Sequence, residues 1–150
     1  MNLVQLVELR PPKPEKMMLK LDDRSLLRET CLLAGEWRSA ADGATLPVNN
    51  PATLDIIAHV PRLAQAEVEL AVASAQQAFE QWRQQTAGQR CALLRRWFEL
   101  ITENSEDLAA IMTAEQGKPL AESRGEVSYA ASFIEWFAEE GKRTYGDVIP

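Results

Sequence analysis

One short segment carries residue types that could do chemistry. Residues 86–92 read TAGQRCA, so that Arg90 directly precedes Cys91 and Arg95 follows four residues later. The thiolate is the reactive form of cysteine, and both a helix N-terminus and neighbouring arginines favour it. The segment therefore makes Cys91 a candidate nucleophile.

The helical pattern around this cysteine favours a different role. Thr86 and Gln89 have the spacing of a capping box, which predicts that a helix begins here. Cys91 precedes Leu94 by three residues and Phe98 by seven, which places the thiol on the apolar face of that helix. Because a buried thiol behaves as a small hydrophobic group, we predict a structural role for Cys91.

No other residue supplies the partner that a nucleophilic cysteine needs. His59 is the only histidine, and a predicted strand and a helix separate it from Cys91. Cys31 lies in a predicted strand beside Leu32 and is also interpreted as structural, and the two cysteines have no metal-binding spacing. The phosphate-binding patterns GxGxxG and GxxxxGK[ST], the hydrolase elbow GxSxG and the zinc motif HExxH are absent from the sequence.

Short strands precede these helices. Residues 31–40 and 44–53 are predicted as two strands joined by a turn at Asp42-Gly43, and residues 55–61 as a third strand ending at Pro61. The period becomes helical from Gln65, which predicts four amphipathic helices over about residues 65–145. The last helix is predicted from Leu120 to Tyr145. Its predicted inward stripe consists of Val127, Ala130, Ala131, Ile134, Phe137 and Ala138.

Aromatic residues add a second surface to the last helix. Tyr129, Phe133 and Trp136 lie beside its aliphatic stripe. One interpretation is core packing against another helix or an absent partner. The other is one wall of an apolar substrate channel, which requires large flat side chains held in place.

Composition excludes several classes of function. The 150 residues carry a formal net charge of −6, which argues against a protein that binds nucleic acid or a membrane surface through clustered lysine and arginine. No run approaches the roughly 18 apolar residues of a membrane span. The few cysteines are typical of a reducing compartment, so we expect a cytoplasmic protein.

The C-terminal third of the sequence resembles a known family. Residues 112–150, MTAEQGKPLAESRGEVSYAASFIEWFAEEGKRTYGDVIP, resemble the aldehyde dehydrogenase superfamily and in particular its NAD(P)-dependent succinate-semialdehyde dehydrogenase branch. LLAGEW at 32–37, VNNPATLDIIAHVP at 48–61 and AFEQW at 78–82 are similar to the family's opening strand, Asn-Pro turn and first long helix. The resemblance covers residues 18–150 and implies an α+β fragment from the N-terminal part of that fold, truncated at its C-terminus. Most of the Rossmann-type cofactor domain and all of the catalytic domain would then be missing.

The resemblance also implies where the chemistry of the family lies. The family's catalytic cysteine belongs to a later GQxC segment, and TAGQRCA departs from that motif at Leu93 and Gln84. The general-base glutamate, the oxyanion-hole asparagine and the cofactor-binding residues also belong to later segments. The full-length enzyme would oxidise succinate semialdehyde to succinate with NAD or NADP. We expect this chain to carry no catalytic or cofactor-binding residue and to be inactive alone.

Two groups of residues acquire roles through the resemblance. Glu115, with the backbone of Val48 and Asn49, matches a family site for a monovalent cation, and a helix-end carboxylate is the alternative reading. Tyr129, Phe133 and Trp136 map near the mouth of the family's aldehyde tunnel. The implied partners are a small aldehyde substrate and either other aldehyde dehydrogenase subunits or a missing second half, with no nucleic acid or membrane.

Two expectations concern the extent of the chain. The family pattern begins near Met17 or Met18, so residues 1–17, with their three prolines, are predicted to be a disordered extension, and we hypothesise a misassigned start codon. The alternative to a truncated enzyme is a non-catalytic helical module that associates with full-length aldehyde dehydrogenase subunits.

Overall fold

The computed structural model describes residues 18–147 and Ile149. The extension predicted at residues 1–17 lies outside the described residues. Short strands come first and helices follow, in the order predicted from the sequence.

Two antiparallel hairpins form the strand region. Strand β1 (Cys31–Leu33) pairs with β2 (Glu36–Arg38), and β3 (Thr45–Asn49) pairs with β4 (Ile56–Pro61). The prediction of one strand over residues 31–40 was wrong, because the chain reverses at Ala34 and Gly35. Both residues have positive φ, 52° and 83°, as the tightest hairpin turns require. The Asp42-Gly43 turn instead links the two hairpins.

Four helices follow the strands. They are α1 (Gln65–Trp82), α2 (Ala87–Glu103), α3 (Ser105–Gln116) and α4 (Leu120–Glu140), and short 3₁₀ turns lie at Arg24–Leu26 and Gly141–Arg143. The capping box of α2 forms as predicted: the Gln89 backbone N–H donates to Thr86 Oγ1 at 3.3 Å, and the Thr86 N–H donates to Gln89 Oε1 at 2.9 Å.

The last helix is shorter than predicted. It ends at Glu140 instead of Tyr145 and tightens into a 3₁₀ turn. Glycine stabilises a helix poorly, and Gly141 is also packed closely, since a Cβ atom there would lie 2.7 Å from Cys91 Sγ. The absent side chain therefore lets the end of α4 approach α2.

The core is small and rich in alanine. In the helical part the buried hydrophobic residues are Cys91, Ala109, Ala114, Val127, Ala131 and Ala138. At the strands, Ile57 and Ala58 cluster with Ala114, and Leu19, Leu27 and Val48 pack against this cluster. Small side chains allow close helix contact but bury little apolar area, so much apolar surface stays exposed.

Helix α1 shows this exposure of apolar surface most clearly. None of its 18 residues, all of them described, is buried. Its exposed large side chains are Val68, Leu70, Val72, Phe79 and Trp82. Within the described residues, no helix combines the length and the apolar character needed to cross a membrane.

Candidate functional site

The Cys91 thiol is buried, as predicted. The residue is 3% exposed and lies among Trp82, Leu94, Phe137 and Gly141. Arg95 is engaged elsewhere: its Nη1 donates to Glu135 Oε1 at 2.8 Å, and its guanidinium lies 5.0 Å from the centre of the Phe98 ring. These surroundings are those of a packing residue.

His59 lies in strand β4 and is partly buried. Its backbone N–H donates to Glu29 Oε1 at 2.9 Å from strand β4. Across residues 18–147 and Ile149, no group of three or more histidine, cysteine, aspartate or glutamate side chains could hold a metal ion.

The aromatic residues of α4 form an exposed surface, which we call the aromatic wall and define as Tyr129, Phe133 and Trp136. Tyr129 and Phe133 meet edge to face, with ring centres 4.8 Å apart and planes at 77°. Trp136 lies one turn further along and is 63% exposed. Edge-to-face contact holds both rings in defined orientations, which suits a surface that positions a ligand.

A shallow cavity of about 460 Å³ lies against this wall. Its lining residues are Ser132, Phe133, Glu135, Trp136 and Phe137. Phe137 was expected on the inward stripe but is 60% exposed, because it follows Phe133 by four residues and shares its side of the helix. Glu135 is paired with Arg95. The lining therefore offers an apolar surface with a charge pair at its edge.

The residues of the candidate cation site are brought into one region. The turn after β3 packs against the end of α3, since a Cβ atom on Gly117 would lie 2.8 Å from Pro51 Cγ. Val48 packs against the cluster that contains Ala114, the residue before Glu115. Glu115 is exposed, and the β3–β4 register shifts between Val48 and Asn49.

The chemistry of these donors fits a hard cation. Backbone carbonyl oxygens at the end of β3 and the Glu115 carboxylate are the kind of ligand that such cations take. The Asn49 side chain is oriented by its Nδ2, which donates to Leu54 O at 3.1 Å. The donors considered for the cation are therefore the backbone oxygens of Val48 and Asn49 and the Glu115 carboxylate.

Asp107 is a buried polar residue whose partners sequence reasoning missed. Its position in the first turn of α3 predicts only a favourable interaction with the helix dipole. In the structure Asp107 is 8% exposed, and its two oxygens accept the backbone N–H groups of Asp22 at 3.0 Å and Asp23 at 2.7 Å. No local signal predicts this contact, because the partners are 85 and 84 residues away in the chain.

One bidentate ion pair links α3 to α4. Arg124 donates from Nε and Nη2 to both oxygens of Glu106, at 2.7–3.1 Å. These hydrogen bonds hold the pKa of Glu106 below its ordinary value and raise the pKa of Arg124. The pair fixes the start of α3 against the first turns of α4.

Comparison with known proteins identifies the family of this chain. The sequence model of the aldehyde dehydrogenase family matches residues 37–150. This chain belongs to the aldehyde dehydrogenase family. It is 54% identical over 132 residues to a glutarate-semialdehyde dehydrogenase of Pseudomonas putida and 52% identical over 132 residues to the NADP⁺-dependent succinate-semialdehyde dehydrogenase of Escherichia coli.

Solved structures agree with the sequence relatives. The crystal structure of an aldehyde dehydrogenase from Brucella melitensis biovar abortus superposes with a TM-score of 0.87 at 56% identity. The match covers 89% of this chain and 28% of that one. The two enzymes above are matched over 88% of this chain and over 28% and 27% of their own lengths. The chain therefore spans little more than a quarter of these relatives and corresponds to the N-terminal part of the family's fold, as the resemblance implied.

Proposed function

We propose that this chain forms the N-terminal part of an NAD(P)-dependent semialdehyde dehydrogenase that oxidises succinate semialdehyde to succinate. The observation that carries the proposal is the 52% identity to the Escherichia coli enzyme over 88% of the chain. The Pseudomonas relative acts on glutarate semialdehyde by its name, so both relatives take a short aldehyde with a carboxylate at the far end. The proposed substrate class is therefore a short carboxy-aldehyde.

The aromatic wall is this chain's contribution to substrate binding in the proposal. When bound, a nicotinamide would supply the oxidising chemistry by accepting hydride from the tetrahedral adduct formed at the aldehyde carbon. Tyr129, Phe133 and Trp136 bind and orient the carbon chain and exclude water from it. The catalytic and cofactor-binding groups come from outside these 150 residues, so the chain alone is inactive.

The candidate cation site has a supporting role in the proposal. A monovalent cation held by Glu115 and the backbone oxygens of Val48 and Asn49 would fix the turn after β3 against the end of α3. The contact between Pro51 and Gly117 supports this, because it already joins the two segments that carry the ligands.

The exposed helix faces support packing against the remaining part of the same dehydrogenase. Trp97 on α2 is 55% exposed, and Trp136 and Phe137 on α4 are 63% and 60% exposed. Exposed apolar patches of this kind mark interaction surfaces. In the proposal the remaining part of the dehydrogenase covers them, and the two free cysteines suit a cytoplasmic location.

Segment exchange tests the proposal. Residues 18–150 replace the matching segment of the Escherichia coli enzyme, and the chimera is assayed for NADP⁺ reduction with succinate semialdehyde and glutarate semialdehyde. We expect kcat/KM for the preferred substrate within about tenfold of the parent, which is about 1.4 kcal/mol of transition-state stabilisation. The 150-residue chain assayed alone is the matched control and should show no turnover.

A second candidate function rests on α1. Because this helix has no buried residue, the chain could act as a non-catalytic module that docks on full-length aldehyde dehydrogenase subunits. A chimera that folds and assembles but lacks activity, together with tight binding of the 150-residue chain to the intact Escherichia coli enzyme, would favour that module over the enzyme fragment.

A further inference from the structure

Residues 18–30, here called the N-terminal strap, cover part of the core without joining its helices or sheets. The only regular structure in the strap is the single 3₁₀ turn at Arg24–Leu26. Leu19 and Leu27 pack against the buried cluster of Ile57, Ala58 and Ala114. The strap therefore contributes apolar contacts to the core while no backbone ladder ties the described strap residues to a strand.

A carboxylate on α3 holds the first half of the strap. Asp107 accepts the backbone N–H groups of two consecutive strap residues, Asp22 and Asp23, one on each oxygen. Charge-assisted hydrogen bonds of this kind are stronger than those between neutral groups. Asp107 also lies in the first turn of α3, where the helix dipole favours a negative charge.

The strap is locally organised around this contact. The Asp23 side chain accepts the Ser25 N–H at 2.8 Å and thereby caps the 3₁₀ turn. At the other end of the strap, Glu29 accepts the His59 N–H of β4 at 2.9 Å. The strap is thus held by carboxylate contacts at Asp22–Asp23 and at Glu29, by Leu27 between them and by Leu19 before them.

We propose that the N-terminal strap is a separately releasable element of the fold and that Asp107 is its latch. Opening the strap breaks the contacts described above and the contact of the Arg28 guanidinium with the Trp37 ring, whose centre lies 4.7 Å away. It leaves the hydrogen bonds within the helices intact, so the helices can stay folded while the strap detaches. Release uncovers the Ile57, Ala58 and Ala114 cluster. Val48 and the strap leucines pack against the same cluster, so the strap also supports the region of the candidate cation site. The latch itself does not depend on the proposed function.

Hydrogen exchange of the chimeric dehydrogenase that carries residues 18–150, read by mass spectrometry, tests the latch. In the unsubstituted chain we expect the strap amides to exchange through an opening that is faster than that of α4. In Asp107→Asn, which keeps one acceptor oxygen and loses the charge, the amides of Asp22 and Asp23 should exchange at least tenfold faster. In Asp107→Ala the acceleration should be larger, and in both variants the α4 amides should be unchanged.

Two further variants separate a latch from general destabilisation. Glu106→Gln is the matched control, because Glu106 is the neighbouring carboxylate, bonds to Arg124 and makes no hydrogen bond to the strap, so strap exchange should stay unchanged. Leu27→Ala removes an apolar contact between the strap and the Ile57, Ala58 and Ala114 cluster. It should accelerate strap exchange as Asp107→Asn does. The latch is overturned if strap exchange is unaltered in Asp107→Ala, or if the strap and α4 open together in the unsubstituted chain or in the variants.

Discussion

Gly117 lies where the end of α3 contacts the turn after β3, the two segments that carry the candidate cation site. It ends α3 with a φ of 74°, in the left-handed region that favours glycine, and its Cα faces the Pro51 ring. A Cβ atom there would meet Pro51 Cγ at 2.8 Å, which is too close for any real contact. Both the backbone conformation and the space therefore require glycine.

We expect Gly117→Ala in the chimeric dehydrogenase to lower stability by about 1–3 kcal/mol, because it adds left-handed strain and displaces the Pro51 turn. The measurement is the thermal midpoint. The matched control is Gly125→Ala in the interior of α4, where nothing lies within 4 Å of the added methyl group. In that variant the free energy of unfolding should instead rise by about 0.5–1 kcal/mol, since alanine stabilises a helix better than glycine. Equal effects at the two positions would contradict the argument.

The aromatic wall yields a second prediction for a single residue. Trp136→Ala in the chimera should raise KM for succinate semialdehyde about tenfold and change kcat little, because the wall binds substrate and transition state alike. Trp97→Ala on α2 is the control, since Trp97 is similarly exposed at 55% but lies outside the wall. A fall in kcat with an unchanged KM would show that Trp136 does not bind the substrate.

At the scale of elements, the sequence predicts helix boundaries set within one turn better than turns of unusual sequence or contacts between distant residues. The capping box of α2 is predicted because it depends on residues within one turn. The β1–β2 hairpin was missed because Ala34-Gly35 is a less obvious turn sequence than Asp42-Gly43. The Asp107 contact is not predicted because its partners are remote in sequence, and the exposure of Phe137 is not predicted because helical spacing assigns a residue to one side of the helix without showing what covers it.

The Glu106–Arg124 pair predicts how the contact between α3 and α4 depends on pH. The folded state lowers the pKa of Glu106 below 4.5, so the pair stabilises the fold above that value and is lost as the pH falls through the lowered pKa. Glu106→Gln in the chimera should therefore flatten part of the acid-side decline in thermal midpoint. Because the pair is exposed, about 1 M salt should shrink the difference between parent and variant. An identical acid profile for the two proteins at low salt would contradict the assignment.

At the scale of the whole molecule, the fold leaves several apolar helix faces exposed. The family and the order of strands and helices follow from the sequence, because EQGKP, the Asn-Pro turn and the amphipathic periods are all local features. The exposure of α1 and of the aromatic wall does not follow from these features, since an apolar stripe predicts burial without naming what buries it. The share of the relatives' length that the chain spans, 27–28%, fits helix faces that belong against a larger body.

The most direct test of this account is urea unfolding of the 150-residue chain, followed by the fluorescence of Trp37, Trp82, Trp97 and Trp136, all of which are at least 40% exposed. If the helix faces are made to pack against the rest of a dehydrogenase, the emission should already be that of water-exposed indole, and the transition should be broad and non-cooperative. A blue-shifted emission that is lost in one sharp two-state transition would contradict the account, because it would identify a self-sufficient domain.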